Sequence, residues 1–431
     1  MLDIKFIREN SEAVQKNAEA KGYTVEVGQL LQLDDERRSL QKIVDELREK
    51  RNSNAAKMKG GKPEQVVIDE GKQIKIALSE QDGYLSSVNE KYVSLLKKIP
   101  NMAHSDVPVG ASEDENVETK VVGELPEFNF VPKNHSEIAE AKGWLDKERA
   151  AKVTGARFAY VMGDMVLLEQ AIIQYVMNTL MNTSVLEKIA AEAGLSVSAK
   201  PFVPVLPPLM IKTAAYDQMD RLEPSDDRYK IEGEELWLQG SAEHVLGSMH
   251  SGETFQPDQL PLRYLGFATS FRKEAGTYGK DTEGIIRMHQ FDKLEMESFT
   301  NANDSYNEHL FFIAIQEYLL QQLQLPYHVL QKCTADIGKP NARGVDMEVW
   351  LPGQEKYRET HTADYMTDYQ SRRLNTRVRI GDQVQFVHTN DATAFALGRT
   401  MVAIIENYQT KEGDVIVPAV IRPYLGGREI I

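Results

Sequence analysis

Two heptad runs separated by a four-residue break constrain this chain more than any other feature. Leu33, Leu40 and Leu47 fall seven residues apart, with Val44, Arg51 and Met58 on the neighbouring seam. After Gly60-Gly61-Lys62-Pro63 the period resumes at Val67, Ile74, Gln81, Val88 and Leu95, interleaved with Leu78, Leu85, Tyr92 and Ile99. Residues at that spacing form one stripe of an α-helix, and a Gly-Gly-Lys-Pro sequence interrupts it, so the pattern predicts an antiparallel helical hairpin. From Leu33 to Met58 the first helix extends about 39 Å at 1.5 Å per residue. A hairpin that long and thin cannot enclose a globular core. It either projects as an arm or pairs with a second chain as a dimerisation coiled coil, the commoner use of heptads. The segment from Asp3 to about Lys21 reads as a short helix near its base, and Pro100 ends the second long helix.

Charge bears on what such an arm could touch. The chain as a whole carries −15, yet between Arg37 and Lys98 there are 14 basic and 9 acidic residues, a local +5 that leaves −20 on the remainder. One basic segment on an acidic body can mark a nucleic-acid-binding arm; the plainer meaning is a solvated helical face, which a mixed +5 favours.

The other 300-odd residues have a different character. Met102 to Asn116 is polar and turn-rich and reads as a linker, placing a helical arm domain at 1–110 and a second domain at 111–431. Beyond it, Met165–Leu180 reads as a long apolar helix, and helices are expected near Asn307–Leu320 and Ala396–Gln409. Strand-like runs recur near Tyr264–Phe271, Ile285–Leu294, Val345–Trp350, Val378–Val387 and Val415–Ile421. Phe202–Ile211, with Pro204, Pro207 and Pro208, suits an edge or interface strand. The order predicts an α+β fold, an antiparallel sheet packed with helices, and no βαβ series, P-loop or dinucleotide fingerprint is present. The composition, 42% hydrophobic and 27% charged, is that of an ordinary soluble protein, with no apolar run fit to span a bilayer and no signal peptide. A single cysteine, Cys333, excludes an internal disulfide and a multi-cysteine zinc site, and a cytoplasmic location is expected.

Three segments carry chemistry. Phe271 to Glu295 reads as a strand, a glycine-containing loop with Gly276, Gly279, Lys280, Asp281 and Gly284, and a second strand from about Ile285. Side chains two apart in a strand point the same way, so Arg272 pairs with Glu274, and Arg287, His289, Phe291, Lys293 and Glu295 share one side. Such a hairpin can hold a triphosphate, a flat ring and an ammonium together. An arginine on a strand can bridge a carboxylate and an α-phosphate, although an Arg-x-Glu pair by itself more often marks a structural ion pair. Glu359 and Thr362, in Tyr357-Arg358-Glu359-Thr360-His361-Thr362, offer hard oxygen ligands of the kind Mg²⁺ takes; alone they read as a surface strand end. Gly398-Arg399-Thr400 opens an apolar helix, where a helix N-terminus and an arginine favour anions and the guanidinium can stack on a purine opposite Phe291; alone it is a structural helix start. His289, His361 and His388 have no metal spacing, and none is assigned as catalytic.

These segments, in this order behind a helical hairpin, resemble the seryl-tRNA synthetase family of class II aminoacyl-tRNA synthetases over nearly the whole chain. The likeness runs through Met1–Asn10, Leu33–Arg38, Arg51-Asn52-Ser53, Ile99-Pro100-Asn101 and Asp106–Gly110. Phe202–Ile211 resembles motif 1, with Pro208 the interface proline. The Phe271–Glu295 hairpin resembles motif 2. Leu397–Thr400 with Glu406–Gln409 and Ile421–Tyr424 resembles motif 3 and the tail. The resemblance implies ATP-dependent formation of seryl-adenylate and transfer of serine to tRNA(Ser), and to tRNA(Sec) where present. It implies Arg272 as the catalytic residue on the α-phosphate and serine carboxylate, Glu274 at the adenine and Arg287 at the γ-phosphate. Phe291 and Arg399 would sandwich the adenine, with Lys273, Thr360 and His361 in the ATP-binding set, and Glu359 and Thr362 would hold Mg²⁺ and phosphate. Glu243 and Glu295 would bind the serine ammonium beside Ser241, Ala242 and Thr393. It further implies a homodimer, with each arm gripping the long variable arm of a tRNA through backbone and shape and serving the other subunit.

Several positions depart from the family pattern. Ser241-Ala242-Glu243 stands for Thr-Ala-Glu, His361–Tyr365 for Ser-Ser-Cys-Ser-Asn, and Asp391–Ala394 for Asn-Gly-Ser-Gly. Lys212–Met219 replaces a Gly-Thr-Gly-Gln-Leu-Pro-Lys-Phe segment. Most of them cluster around the amino-acid pocket, where a changed polar wall can shift substrate choice. Two other functions stay open on the sequence: a paralogue activating serine or another small amino acid for a non-tRNA acceptor, and a non-catalytic tRNA-binding protein. The arm argues against the first, and the retained Arg272, Glu274, Glu359 and Arg399 against the second.

Overall fold

The computed structural model describes residues 1–58, 64–275 and 284–431. The Gly60-Gly61-Lys62-Pro63 turn and the loop positions Gly276, Gly279, Lys280 and Asp281 lie outside the described residues. The chain divides into two compact units, Met1–Met102 and Ala103–Ile431.

In the first unit, α1 (Ile4–Glu9) and α2 (Ser11–Ala20) precede the long helices α3 (Val27–Lys57) and α4 (Gln65–Lys98). The one short helix expected between Asp3 and Lys21 is thus two, parted at Asn10, whose φ of −128° is not helical. The long helices run antiparallel: Asn54 donates to the Val67 carbonyl at 3.1 Å, Arg48 reaches Asp82 at 3.2 Å, and the Arg37 guanidinium lies 4.7 Å from the Tyr92 ring centre. Leu30, Val44, Ile74, Leu78, Val88 and Leu96 fill the buried seam, while Leu33, Leu40 and Leu47 flank it half-buried. Polar groups punctuate the seam. Asp34 is fully buried yet meets Arg8 at 2.8 Å, Arg37 at 2.8 Å and Arg38 at 3.0 Å. Burial opposes its charge, but these arginines hold the carboxyl below its ordinary value. Asn54, also buried, bonds Glu70 at 3.0 Å, and the missing side chain of Gly71 makes room for its amide oxygen. A lone polar seam residue of this kind fixes register at some cost in stability.

The second unit is built on an eight-stranded sheet. Its strands are β1 (Val117–Val122), β2 (Val203–Val205), β3 (Leu262–Phe271), β4 (Gln290–Thr300), β5 (Tyr327–Gln331), β6 (Arg343–Leu351), β7 (Lys356–Thr367) and β8 (His388–Ala396). They lie in the order β1-β5-β6-β7-β8-β4-β3-β2. All pair antiparallel except β2, which adds parallel to β3 at the edge, where Pro204 costs the ladder least. Met210–Lys212 leaves this sheet to pair with Leu236–Leu238. Two expected strands differ. Val378–Val387 is a hairpin of Arg377–Ile380 and Gln383–Phe386 turning at Gly381, whose φ is +60°. Val415–Ile421 makes only isolated bridges before a 3₁₀ helix at Ala419–Leu425, because Pro418 and Pro423 remove ladder donors from a β-branched run.

Helices α5 (Asp164–Leu180), α7 (Ser305–Gln322) and α8 (Leu397–Asn407) cover one face of the sheet, and Leu294, Met296, Ala392 and Phe395 meet Ile172, Phe312, Met401 and Ile405 there. The short helix α6 (Ala242–Ser248) lies against β3 and β4 on the other face, so close at Gly266 that an added Cβ would meet Leu246 at 2.7 Å. That second face is also buried, but β4 alternates Leu294 and Met296 with Lys293, Glu295 and Glu297. Charged residues on a covered face need partners, and they locate the site. Among the described residues no helix is long and apolar enough to cross a membrane.

Candidate active site

The β3–β4 hairpin is shorter than the sequence pattern suggests. Strand β3 stops at Phe271 and β4 begins at Gln290, so Arg272, Glu274 and Arg287 stand beyond the strands. The ladder is extended once, by the Arg272 amide on the His289 carbonyl at 3.0 Å, before Glu274 takes a left-handed φ of +53°. That turn brings Glu274 to Arg287 at 3.2 Å. The other root of the loop rests on His135: its Nδ1 lies 2.8 Å from Glu406 of α8, leaving Nε2 to accept from the Ile285 amide at 3.4 Å. Gly284, at φ +59°, has no room for a side chain, since a Cβ would fall 1.7 Å from that Nε2.

A cleft of about 240 Å³ opens over the sheet beside this hairpin. Arg272, Glu274, Arg287, Phe291, Glu359, Thr360, Thr362 and Arg399 all line it, as do Glu243 and Thr393. The Arg272 guanidinium lies 5.3 Å from the Phe291 ring centre and donates to the Gly240 carbonyl at 3.0 Å, which fixes its direction. Arg399, in the first turn of α8, reaches the Glu359 carboxylate at 3.1 Å and its carbonyl at 2.7 Å. Desolvation in the cleft opposes the Glu359 charge, but Arg399, Lys332 and Arg272 outweigh it and hold that carboxyl below its ordinary value. A flat apolar ring, cationic side chains and a pair of oxygen ligands thus converge, a set suited to a nucleotide and its phosphates.

Deeper, the cleft becomes crowded with carboxylates. Register places Glu297 of β4 opposite Asp391 of β8, and Asp391 opposite Asp364 of β7, while Glu295 faces Thr393. Glu243 reaches down from α6, and the oxygens of Glu243, Glu295 and Asp391 lie within 4.8 Å of one another. Arg221 enters between them, 3.0 Å from Glu243, 3.6 Å from Asp391 and 3.7 Å from Asp364. Lys293 meets Glu295 at 2.5 Å. Burial opposes the Glu243 charge, but Arg221 holds the carboxyl well below its ordinary value. Burial instead pushes Glu295 up to about 7, and burial plus the neighbouring carboxylates push Glu297 and Asp391 well up. Among the described residues neither carboxylate oxygen of Glu297, which is 1% exposed, has a hydrogen-bond partner.

The remaining residues singled out from the sequence sit around this cleft without lining it. Ser241 is fully buried at the start of α6, with Oγ 3.5 Å from Glu243, and Ala242 packs under Leu246 and Ala268. Glu295 is fully buried and ion-paired with Lys293. Lys273 turns to Tyr229, its ammonium 5.6 Å from the ring centre. His361 alternates to the other side of β7 from Thr362 and packs on Phe395, with ring centres 5.1 Å apart; burial drives it down to about 3, so it is neutral. Sequence reasoning passed over Arg221, Glu297 and Lys332, which reaches Asp346 at 3.3 Å and lines the cleft. Glu297 had a usable signal, standing two residues beyond Glu295 on one strand. Arg221 follows the patternless stretch after Lys212 and had none.

An antiparallel sheet bearing an arginine hairpin, an acidic strand and an arginine-led helix around one cleft defines the catalytic core of a class II aminoacyl-tRNA synthetase. Residues 227–408 match the tRNA synthetase class II core domain (G, H, P, S and T), and residues 1–103 match the seryl-tRNA synthetase N-terminal domain. The chain is 37% identical to the serine–tRNA ligase of Methanocella arvoryzae over 100% of both chains, and 38% identical to that of Thermodesulfovibrio yellowstonii over 99% of both. It is also similar to the crystal structure of seryl-tRNA synthetase from Pyrococcus horikoshii complexed with ATP, with a TM-score of 0.87 and 35% identity, covering 100% of this chain and 99% of that one. This chain belongs to the seryl-tRNA synthetase family.

Proposed function

We infer that this protein is a serine–tRNA ligase that activates L-serine with ATP and passes the seryl group to tRNA(Ser), and to tRNA(Sec) where that tRNA occurs. The observation that carries the reading is the convergence of Arg272, Phe291, Glu359 and Arg399 with Glu243 and Thr393 in one cleft. In the first step a serine carboxylate oxygen attacks the α-phosphorus of ATP, the bond to the β-phosphate breaks, and pyrophosphate leaves. Arg272 would hold carboxylate and α-phosphate together and balance the charge that gathers on phosphorus. No protein nucleophile is needed. Phe291 and Arg399 offer two faces for the adenine, Glu274 its edge, and Arg287 a cation for the γ-phosphate. Glu243 and Glu295 are the acceptors for the ammonium, near Ser241 and Thr393. In the second step a ribose hydroxyl at the tRNA 3′ end attacks the adenylate carbonyl and AMP departs.

Glu359 and Thr362 offer a carboxylate and a hydroxyl from one strand, a hard donor set that fits Mg²⁺. Bound with ATP, that ion would neutralise phosphate charge. Exposed Val203, Leu206 and Met210 around the edge strand support assembly as a homodimer. Residues 1–110 would bind tRNA and 111–431 catalyse, in the cytoplasm. Full-length similarity that includes the arm favours tRNA over another acceptor. Pyrophosphate exchange across the amino acids, followed by charging of tRNA transcripts, tests the reading: folded protein without serine-dependent exchange would refute it.

A further inference from the structure

The floor of the amino-acid pocket holds more carboxyl groups than its own cations and the ammonium of serine can pair. Five buried carboxylates meet there, Glu243, Glu295, Glu297, Asp364 and Asp391, against Arg221 and Lys293. Asp391 and Asp364 stand where the family pattern has neutral Asn and Ser. Glu297 is a second, independent sign: a side chain 1% exposed, beneath α6, with neither oxygen hydrogen-bonded and 3.6 Å from where a Cβ on Gly247 would sit. Arg221 is already shared among Glu243, Asp391 and Asp364, and Lys293 is taken by Glu295. The ammonium of serine would neutralise one further carboxylate and its hydroxyl none. A buried carboxyl without a partner stays protonated, and it can ionise and pair only if a second positive charge arrives close to the first, which fits the pocket to a ligand that carries one.

We propose that this pocket takes a small diamino acid, bearing an ammonium on its β-carbon where serine bears a hydroxyl, and activates it by the same adenylation. The β-ammonium would sit between Glu297, Asp391 and Glu295. The ligand must be small, because Arg221 already stands among Glu243, Asp391 and Asp364 at this end of the cleft. The inference rests on the adenylate-forming reading of the site.

The test is pyrophosphate exchange by the full-length protein with L-serine, L-2,3-diaminopropionate or L-alanine, at mildly acidic pH, where both amines of the diamino acid are protonated. The expected result is exchange with the diamino acid at least as efficient as with serine. Glu297→Gln, which keeps the shape and removes the charge, should lower kcat/KM for the diamino acid roughly 10- to 100-fold relative to serine. Exchange with serine alone overturns the proposal, and so does a Glu297→Gln variant that affects both substrates alike. The Glu243, Glu295 and Asp391 oxygens could also be answered by a divalent ion. Serine exchange that is lost on chelation and restored by zinc in the presence of Mg²⁺ would assign the missing charge to a metal and overturn the proposal. Absence of exchange with every amino acid refutes the adenylation reading itself and this inference with it.

Discussion

Replacing Arg221 by Met should convert the pocket from a charged network into a proton trap. The guanidinium sits 3.0 Å from Glu243, 3.6 Å from Asp391 and 3.7 Å from Asp364, all buried. Removing one partner of a buried ion pair costs about 3–5 kcal/mol at neutral pH. At roughly 2–4 °C per kcal/mol for a domain of this size, the melting temperature should fall by about 10 °C. The cost must depend on pH, and its sign follows from Glu243. In the native protein burial opposes the Glu243 charge but Arg221 holds the carboxyl well below its ordinary value, so the pair contributes stability above the ordinary carboxylate range and loses it as pH falls through the depressed value. Without Arg221 burial dominates, and Glu243 joins Asp391 and Asp364, whose carboxyls burial already raises. Folding of the variant then takes up protons, and its deficit relative to the native protein widens as pH rises from about 5 to 8, by up to ~1.4 kcal/mol per pH unit for each proton involved. Thermal unfolding followed by circular dichroism across that range measures it. A deficit that is flat with pH, or below about 1 kcal/mol, would show that Arg221 does not neutralise the cluster.

Arg399→Ala should raise the KM for ATP by about 3- to 30-fold, the value of a desolvated stacking cation, with the KM for serine nearly unmoved; steady-state exchange kinetics decide it. Gly284→Ala forces a Cβ against His135 and strains a φ of +59°, so the variant should melt earlier, by roughly 1–3 kcal/mol or more, and exchange more slowly, whereas an unchanged melting curve would show that the loop root does not rest on His135. Glu295, pushed up to about 7 by burial, must be ionised to accept an ammonium. The KM for serine should therefore fall as pH rises through about 7 while that for ATP does not follow, and a serine KM flat between pH 6 and 8 refutes this role.

The parts of this protein that are repetitive or local are visible in its sequence. The arm follows from heptads because the seam burying Val44, Ile74, Leu78 and Val88 is set by helix geometry alone. The strands β3 and β4 follow from alternation, but their ends do not: Glu274 adopts a left-handed conformation that no pattern announces, and that shortens the hairpin. Val415–Ile421 misleads for the reverse reason, its β-branched residues outvoted by Pro418 and Pro423. The nucleotide wall is legible because its residues occupy short motifs. The amino-acid floor is legible only in part: Glu243 and Glu295 are named by the resemblance, whereas Arg221 and Glu297 join them, with Asp364 and Asp391, only through register and the approach of α6. Even the departures at Asp364 and Asp391 could be seen, while the arginine that makes them tolerable could not.

The ion pairs in the open cleft bear on how the site chooses among anions. Arg399 is engaged by Glu359, and Arg287 by Glu274, before any ligand arrives. At these two arginines nucleotide entry is therefore an exchange of partners. A free orthophosphate or pyrophosphate that used these arginines would have to break those pairs and has no ring to set against Phe291 in return. On the proposed reading ATP would offset the disruption through its base, and Glu359, released by Arg399, would be free to hold a divalent ion. On this reading the two ion pairs would weigh against small anions that bring no ring, and would re-form behind the departing pyrophosphate.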